Sequence, residues 1–215
     1  MALTLYCHPL ASFCWKVLIA LYENETPFAF HLVDLMDPAE SAAFKEIWPL
    51  GKFPVLRDHA RDATIPETSI IIEYLAQHYP GRVALVPQDP ERARQARLWD
   101  RFHDLYVSVP MQKIVTDRIR PAGRNDPHGV EAARAELATA LAVVDREMAQ
   151  KPWAIGDAFT MADCAAAPAL FYAEKVTPFA PYPSAAAYLA RLRERPSFAR
   201  VLAEAEPYFK MFPQS

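Results

Sequence analysis

Gly51-Lys52-Phe53-Pro54-Val55-Leu56, followed after a charged turn by Ile65-Pro66-Glu67-Thr68-Ser69-Ile70-Ile71-Ile72-Glu73-Tyr74-Leu75, is the stretch that decides the fold. Phe53-Pro54-Val55-Leu56 reads as a short apolar strand with a proline at its start, where a missing N–H does not break a ladder. Asp58, Arg61 and Asp62 form a polar hairpin turn, and Ala63-Thr64-Ile65 returns as a second strand. Glu67-Thr68-Ser69 then opens a helix, its apolar residues recurring through Ile71, Ile72 and Leu75. A helix start offers free backbone N–H groups to an anion, and a strand edge next to a proline can pair with an extended peptide. Together they outline a pocket for a small peptide with a charged end.

Upstream, Leu3-Thr4-Leu5-Tyr6 reads as a strand, a helix runs from about Ser12 to Tyr22, and Pro27 to Val33 is a second strand with alternating apolar residues. Strand, helix and strand in that order favour a parallel pair with a right-handed crossover. Residues 39–46 form a short helix. Downstream, Pro80-Gly81-Arg82 and Pro87-Gln88-Asp89-Pro90 bracket a linker at 80–89, beyond which strand signals vanish. Residues 91–116 make a long helical pattern with Ala93, Leu98, Trp99, Phe102, Leu105, Tyr106 and Val109 as its apolar positions, kinked or divided by Pro110. Residues 130–149 form an amphipathic helix with Leu137, Leu141, Val144 and Met148 on one stripe. Thr160-Met161-Ala162-Asp163 is a capping box ahead of an alanine-rich helix. Two shorter helices, at about 184–194 and 197–206, and an apolar tail of Tyr208, Phe209, Met211 and Phe212 complete the chain.

Composition narrows the function classes. The 215 residues are 52% hydrophobic and 23% charged, ordinary globular material with enough apolar residues for a core. A net charge of −3 argues against wholesale nucleic-acid binding. The five glycines, at 51, 81, 123, 129 and 156, cannot build G-x-G-x-x-G or a Walker-type loop, which disfavours a nucleotide-cradling enzyme. The histidines are scattered, so no metal site is expected. There is no apolar run long enough for a membrane span and no signal-peptide pattern. Cys7, Cys14 and Cys164 form an odd set without C-x-x-C spacing, which suits a reduced, cytoplasmic setting.

In order and spacing these motifs resemble those of the cytosolic glutathione transferases. Pro54 matches their cis proline, Glu67-Thr68 their acidic–hydroxyl pair at a helix start, and Thr160 to Asp163 the capping box of their second domain. The resemblance implies an α/β thioredoxin-like domain (1–79), the linker, and an all-helical domain (90–215). It also implies glutathione as cosubstrate, a small electrophile as second substrate and a homodimer. Lys52, Phe53, Pro54, Glu67 and Thr68 would bind glutathione: Glu67 its ammonium, Thr68 its γ-glutamyl carboxylate, Phe53 its backbone and Lys52 its glycine carboxylate. Counting back from Lys16 in the serine-type pattern S-x-x-x-R/K places Ser12 as the catalytic hydroxyl, although Ser12 also fits a plain helix cap. Cys14, near the same helix start, is the rival, and would make the protein a thiol reductase or peroxidase. A non-catalytic binding protein on the same fold is the third reading. The electrophile pocket is expected between the domains, lined by Leu10, Phe13, Tyr106, Met111 and Ile114, with Phe209 or Phe212 as further wall. Trp48, Phe53 and Thr68 depart from the asparagine, valine and serine usual at those places.

Overall fold

The computed structural model of the protein describes residues 1–213. Four strands, β1 (Leu3–Cys7), β2 (Ala29–Leu32), β3 (Val55–Asp58) and β4 (Ala63–Pro66), form one mixed sheet in the order β2-β1-β3-β4. β1 pairs parallel with β2 and antiparallel with β3, and β3 and β4 form an antiparallel hairpin. The two-residue period of β1 sends Leu3, Leu5 and Cys7 to one face, where α1 (Ser12–Glu23) and α3 (Thr68–His78) complete the main core. On the other face Phe44 of α2 (Pro38–Ile47) packs with Val33 and Val55, and Tyr6 closes over them. The expected thioredoxin-like domain is therefore present as a small mixed α/β sheet.

Three local expectations are corrected. β2 is shorter than 27–33, and its alternation separates no inner face, because His31 and Leu32 are as exposed as Phe30 on this sheet edge. β3 begins at Val55 and not at Phe53, since the Phe53–Pro54 peptide is cis and lies outside the ladder. Asp58, expected in the hairpin turn, is the last residue of β3 and fully buried. Its carboxylate accepts from Tyr74 Oη (2.7 Å), Tyr79 Oη (2.6 Å) and the N–H groups of Ala60 and Arg61. Burial alone would raise its pKa, but these donors outweigh it and hold the group at about 2.

The remainder is helical: α4 (Pro90–Phe102), a π-helical turn (His103–Ser108), α5 (Val109–Arg118), α6 (Pro127–Met148), α7 (Met161–Glu174), α8 (Pro183–Glu194), α9 (Pro196–Ala205) and a 3₁₀ turn (Glu206–Met211). The expected break at Pro110 is thus a π-helical turn just before it, where the ladder absorbs an extra residue and the missing N–H. α7 is buried along Met161–Ala173, and its alanines let α1 and α4 approach closely. Asp163 closes its start, accepting from the N–H groups of Thr160 and Ala154 at 2.8 Å each and from Tyr188 Oη.

Of the apolar positions expected in the 91–116 pattern, Ala93 is buried and Trp99 and Phe102 are half-buried, but four are corrected. Leu98, Leu105, Tyr106 and Val109 face outward, 43–58% exposed, while Asp100, His103 and Asp104 face the core. The inner face is polar because it meets a buried lysine from α1.

Candidate functional site

Two features of the deciding stretch shape the site. The cis peptide at Phe53–Pro54 turns the chain just before the first β3–β4 pair, Val55 with Pro66. Thirteen residues after Pro54, Glu67 has φ of 68°, a left-handed backbone that is costly for a residue with a side chain. That turn sets α3 off at Thr68 with no side chain capping its first N–H groups. The helix start, Pro54 and Phe53 thereby share one cavity of about 320 Å³.

Of the expected residues, Lys52, Phe53, Pro54, Glu67, Thr68 and Phe13 line this cavity, together with Trp48. Its second wall comes from the helical half: Arg101 and Asp104, then Leu105, Val109 and Gln112. Basic Lys52 and Arg101 and acidic Glu67 and Asp104 provide both signs of charge, as a zwitterionic peptide requires.

The expected electrophile pocket is only partly assembled here. Met111 and Ile114 are buried in the core and Tyr106 is 58% exposed with its ring against Phe102, so none of these three lines the cavity. Leu10 lies outside the lining as well, its carbonyl accepting from Tyr172 Oη at 2.7 Å. Phe209 and Phe212 stack on Phe171 and Tyr172. The π-helical turn is the physical reason: it rotates residues 105–112 relative to a continuous α-helix and brings Leu105, Val109 and Gln112 to the cleft. Sequence periodicity carries no signal for such a turn beyond the proline that follows it.

Ser12 is the first residue of α1, nearly buried, beside the cavity-lining Phe13. The cap position is Ala11, with no side-chain cap, so a capping role does not explain Ser12. Cys14 is fully buried, its sulfur accepting from the N–H of His8 at 3.4 Å.

A second cavity of about 320 Å³ lies between α1, β2 and α9, lined by Trp15, Tyr22, Phe28, Phe30 and Tyr208. Its polar groups satisfy one another: Glu204 accepts from Tyr22 Oη (2.6 Å) and Arg200 Nε (2.9 Å), and the Arg200 guanidinium lies 3.9 Å from the Tyr22 ring centre. Glu204 and Arg200, its charged groups, are thus paired with each other, whereas the first cavity holds Lys52 and Glu67, unpaired among the described residues, which makes it the better candidate for a peptide.

Sequence reasoning missed one cluster beside the site. Lys16 is 0% exposed, and its ammonium lies 2.7 Å from Asp100 Oδ1, 2.7 Å from Asp104 Oδ2 and 2.9 Å from Ser69 Oγ. Ser69 in turn donates to Asp100 Oδ2 at 2.6 Å. Burial pushes the Asp104 carboxyl above its usual range, partly offset by Lys16. His103 beside them is held neutral, at about 4, chiefly by burial. The available signal was a lysine inside the apolar run Cys14-Trp15-Lys16-Val17-Leu18, matched by aspartates four residues apart at 100 and 104.

A mixed four-stranded sheet with a cis proline just ahead of β3, followed by a helical bundle, defines the class of fold. Comparison with known proteins then gives the family. Residues 5–83 match the profile described as glutathione S-transferase, N-terminal domain, and residues 127–191 that of the C-terminal domain. The chain is 30% identical over 190 residues to glutathione S-transferase GstB of Escherichia coli, covering 87% of this chain and 91% of that one. It is also 30% identical over 209 residues to a stringent starvation protein A homolog of Coxiella burnetii, covering 95% and 93%. Among solved structures, a glutathione S-transferase from Methylobacillus flagellatus with glutathione bound is similar at a TM-score of 0.85 and 25% identity, over 93% of this chain and 98% of that one. The chain belongs to the glutathione S-transferase family. Among the described residues no helix is long and apolar enough to cross a membrane, and no group of three or more His, Cys, Asp and Glu is placed to hold a metal ion.

Proposed function

We propose that the protein is an active glutathione S-transferase, with a glutathione-binding domain (1–79) joined through the linker 80–89 to a helical domain (90–215). What carries this reading is the single cavity in which Lys52, Phe53, Pro54, Glu67 and Thr68 meet, beside the start of α1. Glutathione lies extended past the cis Phe53–Pro54 peptide with its backbone on Phe53, its γ-glutamyl ammonium on Glu67, its γ-glutamyl carboxylate on Thr68 and the first N–H groups of α3, and its glycine carboxylate on Lys52. The sulfur then faces Ser12. A free thiol ionises near pH ~8.5, and a hydroxyl donor together with the positive end of α1 favours the thiolate. The thiolate attacks the electrophilic carbon: an S–C bond forms, the leaving group departs with its electron pair, and the thiol proton goes to solvent. Phe13, Leu105 and Val109 give the electrophile an apolar wall, so a small hydrophobic electrophile is the expected second substrate.

The test is Ser12→Ala, assayed with glutathione and chlorodinitrobenzene. kcat/KM falls about 100-fold at neutral pH with glutathione affinity little changed, the effect expected of a lost donor to developing or stabilised charge. Cys14→Ala retains conjugation. The opposite pattern, activity lost with Cys14 and kept without Ser12, supports the thiol reductase reading. The likeness to a stringent starvation protein A homolog favours the non-catalytic reading as second choice. Glutathione binding without conjugation of any soft electrophile tried would support it.

We also propose a homodimer in a reducing, cytoplasmic setting. The exposed Ile70, Leu98 and Tyr106 on α3, α4 and the π-helical turn are large apolar groups that a second copy would cover, and three buried free thiols fit the setting. Sedimentation that gives a monomer at micromolar concentration contradicts the dimer.

A further inference from the structure

Lys16 is a buried charge to which the proposed reaction gives no role. Taking an ammonium and two carboxylates out of water is costly, and apolar residues of similar size commonly stabilise such a place as well or better. The cluster therefore calls for an account in terms of placement. The Lys16 ammonium donates to Ser69 Oγ on α3 and to Asp104 Oδ2 on the π-helical turn, and it lies 2.7 Å from Asp100 Oδ1 on α4 as an ion pair, so it is held from three different helical segments. Ser69 uses its hydroxyl both ways, accepting from Lys16 and donating to Asp100. Its side chain is thus fixed from two sides.

Ser69 adjoins Thr68 and is two residues from Glu67, whose left-handed backbone is the most strained feature of the cavity wall. Strain of this kind persists only where its surroundings over-determine it. On one side of Glu67 the β4 pairing of Pro66 with Val55 holds the chain. On the other, the Ile71 N–H reaches back to the Glu67 carbonyl (2.8 Å), and Ser69 is tied to Lys16 and Asp100. The same cluster reaches the cavity directly through Asp104.

We propose that Lys16 is a positioning residue for glutathione: through Ser69 it holds the start of α3 in the conformation that presents Glu67 and Thr68 to the ligand's amino-acid head. This rests on the glutathione-binding reading above. Lys16 touches no substrate, and the effect of its loss falls on ligand binding and not on the chemical step.

Ser69→Ala removes the tether and leaves Lys16 paired with both aspartates. Titration calorimetry with glutathione, and steady-state kinetics with chlorodinitrobenzene, then show glutathione Kd and KM raised about tenfold, the loss expected for hydrogen bonds to charged groups. kcat and the electrophile KM stay within about twofold of wild type. A purely structural role would lower the melting temperature and leave the glutathione KM where it was, and that result overturns the inference. A second variant, Lys16→Gln with Asp100→Asn, removes one charge of each sign without touching the cavity lining. It raises the glutathione KM in the same way, and adding Ser69→Ala to it costs less than about twofold more, because the residues act as one unit. Independent, multiplicative effects overturn the proposal. Wild-type protein that gives no heat with glutathione overturns both this inference and the reading beneath it, whereas wild-type binding with unchanged Ser69→Ala overturns the inference alone.

Discussion

Two helix starts in this molecule are built from the same chemistry, a hydroxyl and a carboxylate within three residues of each other, and they are used in opposite ways. At the start of α7, Thr160 and Asp163 are both fully buried, and Asp163 accepts from Thr160, Ala154 and Tyr188. Every polar group there is answered from within, so the pair serves folding. At the start of α3, Glu67 is exposed with a left-handed backbone, Thr68 lies at the cavity wall, and no side chain caps the helix. Its N–H groups and carboxylate remain for something that is not part of the chain. The difference teaches that residue type does not separate a cap from a binding site; whether the partners are internal does.

Asp163→Ala gives the largest effect on one side of this contrast. It strips acceptors from buried donors and costs roughly 3–5 kcal/mol of stability, read by urea unfolding. The protein that remains folded binds glutathione as before. A loss of binding without a loss of stability would break the contrast. Glu67→Gln and Thr68→Ala show the reverse: glutathione Kd weakens about 10- to 100-fold while the melting temperature moves by no more than about 2 °C.

Asp58 sharpens the comparison, since it is an internal carboxylate at the far end of the same β3. Its folded pKa, about 2, lies below the unfolded value near ~3.9, so its contribution is fully present above that unfolded value and is lost as pH falls toward 2. Asp58→Asn is therefore less stable than wild type by roughly 1–2 kcal/mol at pH 7, and the gap closes between about pH 4 and 2. Urea midpoints of both proteins across that range check it, and a gap that stays constant contradicts the assignment.

The sequence carried the site's near wall and not its far wall. Proline at 54, the acidic–hydroxyl pair at 67–68 and the box at 160–163 are local signals, each legible from a few neighbouring residues. The far wall depends on which face of α4 and the π-helical turn looks inward, and there periodicity points the wrong way. Of the apolar residues, Leu98 and Tyr106 are outside and Leu105 and Val109 turn to the cleft, because the core-facing side must supply Asp100 and Asp104 to Lys16 from 84 and 88 residues away in the chain. An ion pair across that separation leaves no local pattern. Met111 and Ile114 were expected at the cleft for the same reason: without the π-helical turn the register cannot be placed.

The central claim is that the open helix start at Glu67 and Thr68 is a glutathione site. Isothermal titration of the full chain with glutathione, beside Thr68→Ala under the same conditions, tests it most directly. Saturable one-to-one heat for wild type, weakened at least about tenfold in the variant, is the predicted result. No heat at millimolar glutathione, or equal affinity in the two proteins, would contradict the account.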